Sequence, residues 1–297
     1  MTKTPALLFC SLLLQLPALC QDPVSIDSLK QQISQRLAQE KGYFAIAFRD
    51  LTTGKELFIH EHELFHAAST MKTPVLIEVY RQAARGKFKL SDSIEIRNEF
   101  KSIADGSPFS LSPTDDSEFE LYKHTGEKRT IDSLVYLMIT VSSNLATNLL
   151  IDLVGAKNVM HTMRKMGAKD ILVLRGVEDQ KAFDRCMNNK VTAFDLMLIF
   201  DKMAREKLVS REASEAMIRI LMDQHFSEVI PARLPSNVKV AHKTGSITGV
   251  HHDSGIVFLP DGRKYVLVIL SKNLENEELA VKAMAEVSEM FYKYLNP

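Results

Sequence analysis

A serine and a lysine one helical turn apart give the first indication of chemistry in this sequence. Ser69 and Lys72 lie at the start of a predicted helix, and this spacing puts both side chains on one face of it. A serine hydroxyl becomes a good nucleophile when a neighbouring base takes its proton, and a lysine can be that base when burial and nearby cations lower its pKa. The motif therefore predicts covalent catalysis through Ser69, with Lys72 as its activating partner.

The same Ser-x-x-Lys pattern also has a purely structural interpretation. Serine is a favoured N-cap, and Ser69 stands where the cap of this helix is expected. The pattern occurs again at Ser236 and Lys239, where the chain enters a predicted strand. The other motifs of the chain must therefore decide between a nucleophile and a cap.

A second group of polar residues, Ser142, Ser143 and Asn144, interrupts the most apolar helical stretch of the chain. A buried polar group without a hydrogen-bond partner costs about 1 to 3 kcal/mol, so three in succession need partners. A functional site would supply them. Capping of the helix backbone is the structural alternative.

A third motif, Lys243-Thr244-Gly245-Ser246, closes a predicted strand. Lys243 brings positive charge, and the hydroxyl groups of Thr244 and Ser246 can bind a substrate carboxylate. Gly245 has no side chain and leaves room for a ligand at the strand edge. We interpret these four residues as substrate-binding residues.

The elements around the motifs follow a pattern of sheet, helices and sheet. Amphipathic helices are predicted near both ends of the chain, at 26–40 and 277–295. Strand patterns lie inside them, at 43–48, 56–60, 238–242, 252–259 and 265–270. Helical patterns fill the middle, at 70–85, 131–154, 156–166, 192–205 and 211–222. We predict an α+β fold, an α/β sandwich with an inserted all-α domain.

Two domains follow from this pattern. Residues 21–66 and 236–297 form the predicted α/β domain, and residues 67–235 form the helical domain. The three motifs come from both parts, and ligand sites favour such boundaries. The segment 101–128, rich in Ser, Asp, Pro and Gly, is predicted to be a long surface loop, with a lid as the alternative.

Residues 1–20 are predicted to be a signal peptide. A positive charge precedes the apolar stretch 6–16, and small residues near 18–20 suit cleavage. We expect export to the periplasm or the medium, with cleavage near Cys20. Lipid attachment at Cys20 is less favoured because the residue before it is not small. Cleavage removes Cys10 and Cys20, which leaves Cys186 as the mature cysteine and allows no intrachain disulfide.

The charge balance and the histidines exclude other classes of partner. With 37 basic and 37 acidic residues, the formal net charge is zero, so no overall field attracts nucleic acid or an anionic membrane. No stretch after the signal is apolar enough to span a bilayer. The nine histidines show no metal-ligand spacing. We expect a monomer that acts on a small molecule without a metal or another cofactor.

The three motifs, in this order and on a helix start, a helix break and a strand, resemble those of the penicillin-recognising serine enzymes. Their spacing is most similar to class A β-lactamases. The resemblance implies the β-lactamase/D,D-peptidase-like fold, with an antiparallel sheet flanked by the terminal helices. It also implies that Ser69 attacks a β-lactam carbonyl, that Ser142 passes a proton to the leaving nitrogen and that Asn144 holds the substrate amide. The implied oxyanion hole is the backbone N–H groups of Ser69 and Ser246.

Class A β-lactamases place a glutamate thirty-four residues after the motif asparagine, and here this position is Glu178. It lies in a segment without helical or strand periodicity, which we predict to be an Ω-type loop near 175–190. The resemblance implies that Glu178 is the general base for the hydrolytic water, with Lys72 as its partner. A surface glutamate without a catalytic role is the alternative.

Four features depart from the family pattern. Ser143 replaces the usual aspartate, which removes a hydrogen-bonding group and one charge. Ala182 replaces an asparagine that helps to hold the hydrolytic water. The loop has one extra residue after Arg175 and no acid at its far end, so its usual closing salt bridge is not expected. His252 stands where many members have an arginine, and we interpret it and His251 as ordinary strand residues rather than cation sites.

We predict a serine β-lactamase that hydrolyses the β-lactam amide through an acyl-enzyme on Ser69. Because the departures cluster around deacylation, a D,D-peptidase or esterase of the same fold with slow deacylation is the alternative. A binding or sensing domain that is acylated once and held is a third hypothesis.

Overall fold

A computed structural model describes residue 2 and residues 25–296 of the chain. The predicted signal peptide, including Cys10 and Cys20, lies outside these residues except for Thr2, whereas Cys186 is free and exposed. The helices and strands follow in chain order: α1 (Ile26–Leu37), β1 (Tyr43–Asp50), β2 (Glu56–Ile59), β3 (Phe65–His66), α2 (Lys72–Ala84), β4 (Ser93–Glu95), β5 (Phe100–Lys101), β6 (Pro108–Phe109), β7 (Lys128–Thr130), α3 (Ile131–Thr140), α4 (Asn144–Val154), α5 (Ala156–Lys165), α6 (Gln180–Asp184), β8 (Lys190–Val191), α7 (Ala193–Ala204), α8 (Arg211–Met222), β9 (Lys239–Ile247), β10 (Val250–Phe258), β11 (Lys264–Lys272) and α9 (Glu277–Leu295).

Both parts of the chain that were predicted to form strands contribute to one five-stranded antiparallel sheet. Its order is β2-β1-β11-β10-β9, so β2 and β9 are the edge strands. β1 lies beside β11, with Ala47 opposite Val268. β10 pairs with β9, with Ser254 opposite Lys243. The antiparallel sheet between helices confirms the predicted α+β fold.

Helices cover both faces of the sheet, which explains why its central strands are apolar along nearly their whole length. On one face, Phe48 packs against Tyr265 and against Phe291 of α9. Residues of the other face, such as Ala47 and Val268, belong to the core formed with the middle helices. Burying each large apolar side chain contributes about 1.5 to 3 kcal/mol, so the sheet is fixed between two cores.

The apolar stretch 131–154 forms two helices, and the break between them lies at 142–144, where the sequence pattern predicts it. Ser142 has a φ of 59°, in the left-handed region, and cannot continue α3. Ser143 then begins α4 as its N-cap, because its hydroxyl accepts a hydrogen bond from the N–H of Ala146 at 3.2 Å. The break therefore has a backbone cause and leaves Ser142 and Asn144 at the start of a new helix.

The middle of the chain also contains short elements that the sequence patterns did not predict. Three two-stranded sheets pair β3 with β8, β4 with β7, and β5 with β6. The short helix α6 lies within the segment predicted to be an Ω-type loop, where Asp179 caps it by accepting from the N–H of Ala182. The domain boundaries drawn at 66/67 and 235/236 stay a prediction.

The part of the chain that the structure describes contains neither a membrane-spanning helix nor a metal-binding group of side chains. No helix there combines the length and the apolar character that a membrane crossing requires. No group of three or more His, Cys, Asp or Glu side chains there is arranged to hold a metal ion.

Candidate active site

Ser69 lies in a short 3-10 turn, Ala68–Met71, that leads directly into α2. Ala68 has a φ of 44°, a left-handed conformation that costs a residue other than glycine about 1 to 3 kcal/mol. Its N–H donates to Nδ1 of His66 at 3.1 Å, which helps to hold the turn. Ser69 is half-buried, and its side chain caps neither this turn nor α2, so the N-cap interpretation is wrong.

The backbone of edge strand β9 runs along this turn. A Cβ atom on Gly245 would lie 2.8 Å from the backbone nitrogen of Ser69, which is too close for a real contact. Both backbone groups of His251 on β10 bind the Ser271 side chain, on the side of β11. Because of the antiparallel pattern, Ser246, opposite His251, points its own N–H away from β10. The N–H of Ser246 is therefore directed to the free edge of the sheet, on the side of Ser69.

Lys72 is fully buried about one turn after Ser69. Its side-chain nitrogen lies 2.6 Å from the Ser142 carbonyl oxygen, 3.1 Å from the Ser142 hydroxyl and 2.9 Å from Oδ1 of Asn144. Loss of hydration lowers the pKa of Lys72 to about 7, although the charges of Asp116 and Glu178 act in the opposite direction. A large fraction of this amine is therefore neutral near neutral pH and can accept a proton.

The hydroxyl of Ser142 lies between two lysines. Its oxygen is 3.1 Å from Nζ of Lys72 and 3.1 Å from Nζ of Lys243. Lys243 is also fully buried, and it donates to the carbonyl oxygen of Thr244 at 2.9 Å. Burial, and then the charge of Lys72, holds the pKa of Lys243 well below its usual value. The three sequence motifs thus meet around one hydroxyl group.

Asn144 connects Lys72 to Glu178. Its Oδ1 accepts from Lys72, and its Nδ2 donates to Oε1 of Glu178 at 2.7 Å. Lys72 and Glu178 are therefore linked through the side-chain amide of Asn144. Glu178 also accepts from the N–H of Ser112 at 3.3 Å. Burial raises the pKa of Glu178 despite these two hydrogen bonds, which suits a carboxylate that takes a proton from water.

Asp116 is a residue of this cluster that the sequence patterns did not reveal. It lies in the segment 101–128, which was predicted to be a surface loop, yet it is only 7% exposed. Its Oδ2 accepts from the N–H groups of Asn144 at 2.8 Å and Leu145 at 2.9 Å, and from the hydroxyl of Tyr122 at 2.9 Å. Asp116 thus supplies a carboxylate at the start of α4, where the family aspartate is replaced by Ser143. Nothing local to Asp116 marks it, because these contacts depend on the folded chain.

The segment 175–190, which was predicted to be an Ω-type loop, is closed by neutral groups. The guanidinium group of Arg175 donates to the carbonyl oxygens of Met187 and Gly176, each at 3.1 Å, and to Oδ1 of Asn188 at 3.0 Å. Asn189 adds a second amide, whose Oδ1 accepts from the N–H of Arg175 at 3.2 Å. The partners of Arg175 are therefore amides and carbonyls, in agreement with the expected absence of the closing salt bridge.

Two cavities meet at Ser69 and form one cleft. The first has a volume of about 230 Å³, and its lining includes His66, Asn144, Glu178, Phe183 and Ile247. The second has a volume of about 260 Å³, and its lining includes Asp115, Ser142, Glu228, Thr244 and His251. Ser69 and Ser246 line both. The sequence patterns did not identify His66, Phe183 or Ile247, because nothing in their spacing distinguishes them from core or surface residues.

His252 is an ordinary strand residue, in agreement with the prediction. It is fully buried, its Nε2 donates to the carbonyl oxygen of His66 at 2.9 Å, and its Nδ1 accepts from the N–H of Ser271 at 3.1 Å. Burial lowers the pKa of His252 to about 4, so the ring is neutral and supplies no cation to a substrate. His251 is half-buried at the second cavity.

Comparison with known sequences gives related proteins over nearly the whole chain. A model of the Beta-lactamase enzyme family matches residues 28–295. The chain is 25% identical over 276 residues to the extended-spectrum β-lactamase PER-1 of Pseudomonas aeruginosa, covering 90% of this chain and 87% of that protein. It is 22% identical over 280 residues to the β-lactamase VEB-1 of the same organism, covering 90% of each.

Solved structures share the fold. A β-lactamase from Sphaerobacter thermophilus is similar with a TM-score of 0.77 at 26% identity, covering 90% of this chain and 97% of that one. The protein PBP-A gives a TM-score of 0.78 at 25% identity, covering 90% and 96%. A PBP-A variant solved as an acyl-enzyme complex with penicillin G also gives 0.78 at 25% identity, covering 93% and 99%.

Proposed function

Because the chain belongs to the Beta-lactamase enzyme family, we propose that it is a serine β-lactamase that hydrolyses the β-lactam amide through an acyl-enzyme on Ser69. One observation carries this proposal: the hydroxyl of Ser142 is held between the buried amines of Lys72 and Lys243, and Ser142 and Ser69 line the same cavity. A serine that only caps a helix, or a lysine that only faces solvent, would not require two buried amines around one hydroxyl. Proton transfer next to a nucleophilic serine would.

In the acylation step, Ser69 Oγ bonds to the β-lactam carbonyl carbon and loses its proton to the neutral amine of Lys72. The negative charge that develops on the carbonyl oxygen is stabilised by the N–H groups of Ser69 and Ser246. The C–N bond of the ring then breaks, and Ser142 donates its proton to the leaving nitrogen. Ser142 recovers a proton from the protonated Lys72, so both residues return to their starting protonation states.

In the deacylation step, Glu178 takes a proton from a water molecule, whose oxygen attacks the acyl carbon. Its raised pKa makes the carboxylate a stronger base than an ordinary glutamate. The hydrogen bond from Asn144 orients it toward the first cavity, which Ser69 also lines. The bond between Ser69 and the acyl group then breaks, and the proton returns to the serine.

Similar proteins support this chemistry. PER-1 and VEB-1 are named as β-lactamases, and a PBP-A variant forms an acyl-enzyme with penicillin G. In the second cavity, the hydroxyl groups of Thr244 and Ser246 are the substrate-binding groups that we assign to a carboxylate. Export as a monomer, after cleavage of residues 1–20, completes the proposal.

Intact-mass measurement over time after mixing with benzylpenicillin tests the proposal. The wild-type protein should gain the mass of the ligand briefly and return to its own mass as the hydrolysed product accumulates. Ser69→Ala should never gain mass, and Glu178→Gln should stay acylated. A wild-type protein that never gains mass would contradict the assignment of Ser69.

The PBP-A variant was solved as an acyl-enzyme with penicillin G, and a trapped acyl-enzyme favours a second candidate, a D,D-peptidase or esterase with slow deacylation. It gives a different result in the same experiment. The wild-type protein would then gain the mass of benzylpenicillin and keep it for hours, as Glu178→Gln is expected to do. It would also release D-alanine from peptides that end in D-Ala-D-Ala, which a β-lactamase would leave intact.

A further inference from the structure

We propose that Asp116 is a positioning residue of this active site, which performs from a distant segment the task of the aspartate that is missing at position 143. The inference rests on the proposed function, because the residues that Asp116 holds are those assigned to acylation and deacylation. Ser143 by itself leaves the start of α4 without a carboxylate. Asp116, between β6 and β7, supplies one.

The first turn of α4 divides its free N–H groups between two side chains. Asp116 Oδ2 accepts from the N–H groups of Asn144 and Leu145, at 2.8 and 2.9 Å. Ser143 Oγ accepts from the N–H of Ala146 at 3.2 Å. A helix N-terminus favours a negative charge, so this is a stable position for the carboxylate. The serine at 143 thus acts as the cap, while the charge comes from elsewhere.

Asp116 is itself held in place by its own segment. The hydroxyl of Tyr122 donates to Oδ2 at 2.9 Å, and the N–H of Glu118 donates to Oδ1 at 3.1 Å. Burial and the charge of Asp116 raise the pKa of Tyr122, so its hydroxyl stays a donor throughout the working pH range. With both oxygens bonded and little exposure, the carboxylate has one orientation.

The residues that Asp116 fixes are the ones that contact the reacting groups. Asn144 accepts from Lys72 and donates to Glu178, and Ser142 supplies two further oxygens to Lys72. A shift of the first turn of α4 would therefore change the acylating and the deacylating side together. It would do so although Asp116 is not among the residues that line either cavity.

Asp116 also acts through its charge, and this gives a readout that a structural role would not move. The charged groups around Lys72 are Asp116, Glu178 and Lys243, and Asp116 raises the pKa of both Lys72 and Glu178. Replacing Asp116 by asparagine removes that negative charge. The pKa of Lys72 should then fall further, and the acidic limb of the acylation rate should move to lower pH.

Paired substitutions at 116 and 143 test the inference. The hydroxyl of Ser143 is 3.5 Å from Oδ2 of Asp116, so an aspartate at 143 would place two carboxylates together. We expect Asp116→Asn to slow acylation of the protein by a chromogenic cephalosporin by about tenfold to a hundredfold. Ser143→Asp should also slow it while Asp116 is present, because like charges repel. The double variant should recover to within about threefold of the wild type.

Glu120→Gln is the matched control, because Glu120 is exposed on the same segment and pairs only with Lys123. It should leave the acylation rate and its pH profile unchanged. Additive losses in a folded double variant, or an Asp116→Asn protein with the wild-type rate and pH limb, would overturn the inference. If Asp116→Asn does not fold alone, the double variant still decides, since it must then fold and be acylated. A wild type that is never acylated would instead remove the proposed function.

Discussion

The two sides of the cleft are built differently. On the acylating side, Lys72 lies on α2 and Lys243 on β9, and both are fully buried. The amine of each forms a hydrogen bond with the hydroxyl of Ser142. On the deacylating side, Glu178 is half-buried on a loop that amides and carbonyls close. Buried groups on regular elements hold their positions more tightly than groups on surface loops. The site should therefore lose deacylation more readily than acylation.

Backbone strain sharpens this contrast. Ala68 and Ser142 on the acylating side and Glu178 on the deacylating side all have left-handed φ angles, of 44°, 59° and 61°. Such residues persist only where the surrounding structure over-determines them. The turn at Ala68 is held by a hydrogen bond to His66, and Ser142 contacts the fully buried amines of Lys72 and Lys243. The support around Glu178 is two hydrogen bonds, from Asn144 and Ser112.

The largest expected effect is on the acylating side. Lys72→Met removes the proton acceptor for Ser69 and should slow acylation by about 10⁴-fold, measured by stopped-flow mixing with the chromogenic cephalosporin. Lys87→Met, which removes an exposed charge beyond the end of α2, is the control and should act as wild type. Acylation of Lys72→Met at the wild-type rate would show that another group activates Ser69.

Glu178→Gln should separate the two sides most clearly. It removes the base for water but keeps the side-chain size, so deacylation should fall about 10³-fold while acylation changes less than about threefold. Intact mass after mixing with benzylpenicillin would then show a persistent acyl-enzyme. Asp184→Asn, exposed on the same loop and paired with Gln180, should still turn over. An equal decrease in the acylation and deacylation rates would contradict the assignment of Glu178 to deacylation alone.

Gly245→Ala tests whether the close approach of β9 to the 3-10 turn Ala68–Met71, which holds Ser69, is needed for acylation. The new methyl group would meet the backbone nitrogens of Ser69 and Thr70 at 2.8 and 2.9 Å, so the turn or the strand must move. Misplacing one donor of the oxyanion hole should slow acylation by about 10²-fold. Melting temperature serves as the control for folding, and a folded variant with wild-type acylation would mean that this contact is not part of the site.

Arg175→Lys should weaken the deacylating side alone. A lysine cannot reproduce the three hydrogen bonds of the guanidinium group, so the loop should loosen and deacylation should fall about fivefold. Arg185→Lys, which changes an exposed residue of the same loop, is the matched control. Slower acylation in Arg175→Lys would argue that the loop supports both sides.

The smallest expected change is that of the acylation rate with pH just above neutrality. Because the pKa of Lys72 is lowered to about 7 and the neutral amine is the base, acylation should rise as pH increases through 7. Between pH 7 and 8 the gain should be about twofold, and below pH 6 the rate should fall about tenfold per pH unit. Stopped-flow rates across this range give the profile. A flat profile in the wild type would show that the amine of Lys72 is not the titrating base.

Motif order, spacing and residue periodicity were sufficient to predict the fold and to choose the residues of the cluster other than Asp116. Gly245 illustrates why. Its role is to leave space for the turn of Ser69 beside the strand edge, and the absence of a side chain can be read from the residue type alone. The roles assigned to Ser69, Lys72 and Glu178 stay predictions until the variants are measured. What the geometry adds is that Asn144 stands between Lys72 and Glu178.

Other features could not be predicted because they depend on contacts between distant segments. Asp116 and the start of α4 are far apart along the chain, and an aspartate in a polar loop has the same local pattern whether it is exposed or buried. The break between α3 and α4 was expected, but its backbone cause was not, because Ser142 adopts a left-handed conformation for which serine has no strong preference. In both cases tertiary structure decides what local sequence leaves open.

The pairing of β1 with β11 also determines when this molecule can fold. β1 is among the first strands to be synthesised and β11 the last, yet they are neighbours in the middle of the sheet. Until the chain is almost complete, β1 lacks one of its two partners, and closing so long a loop is slow. The five-stranded sheet therefore cannot be completed until the last strand has been made, and β1 stays without its β11 partner for most of the synthesis of the chain.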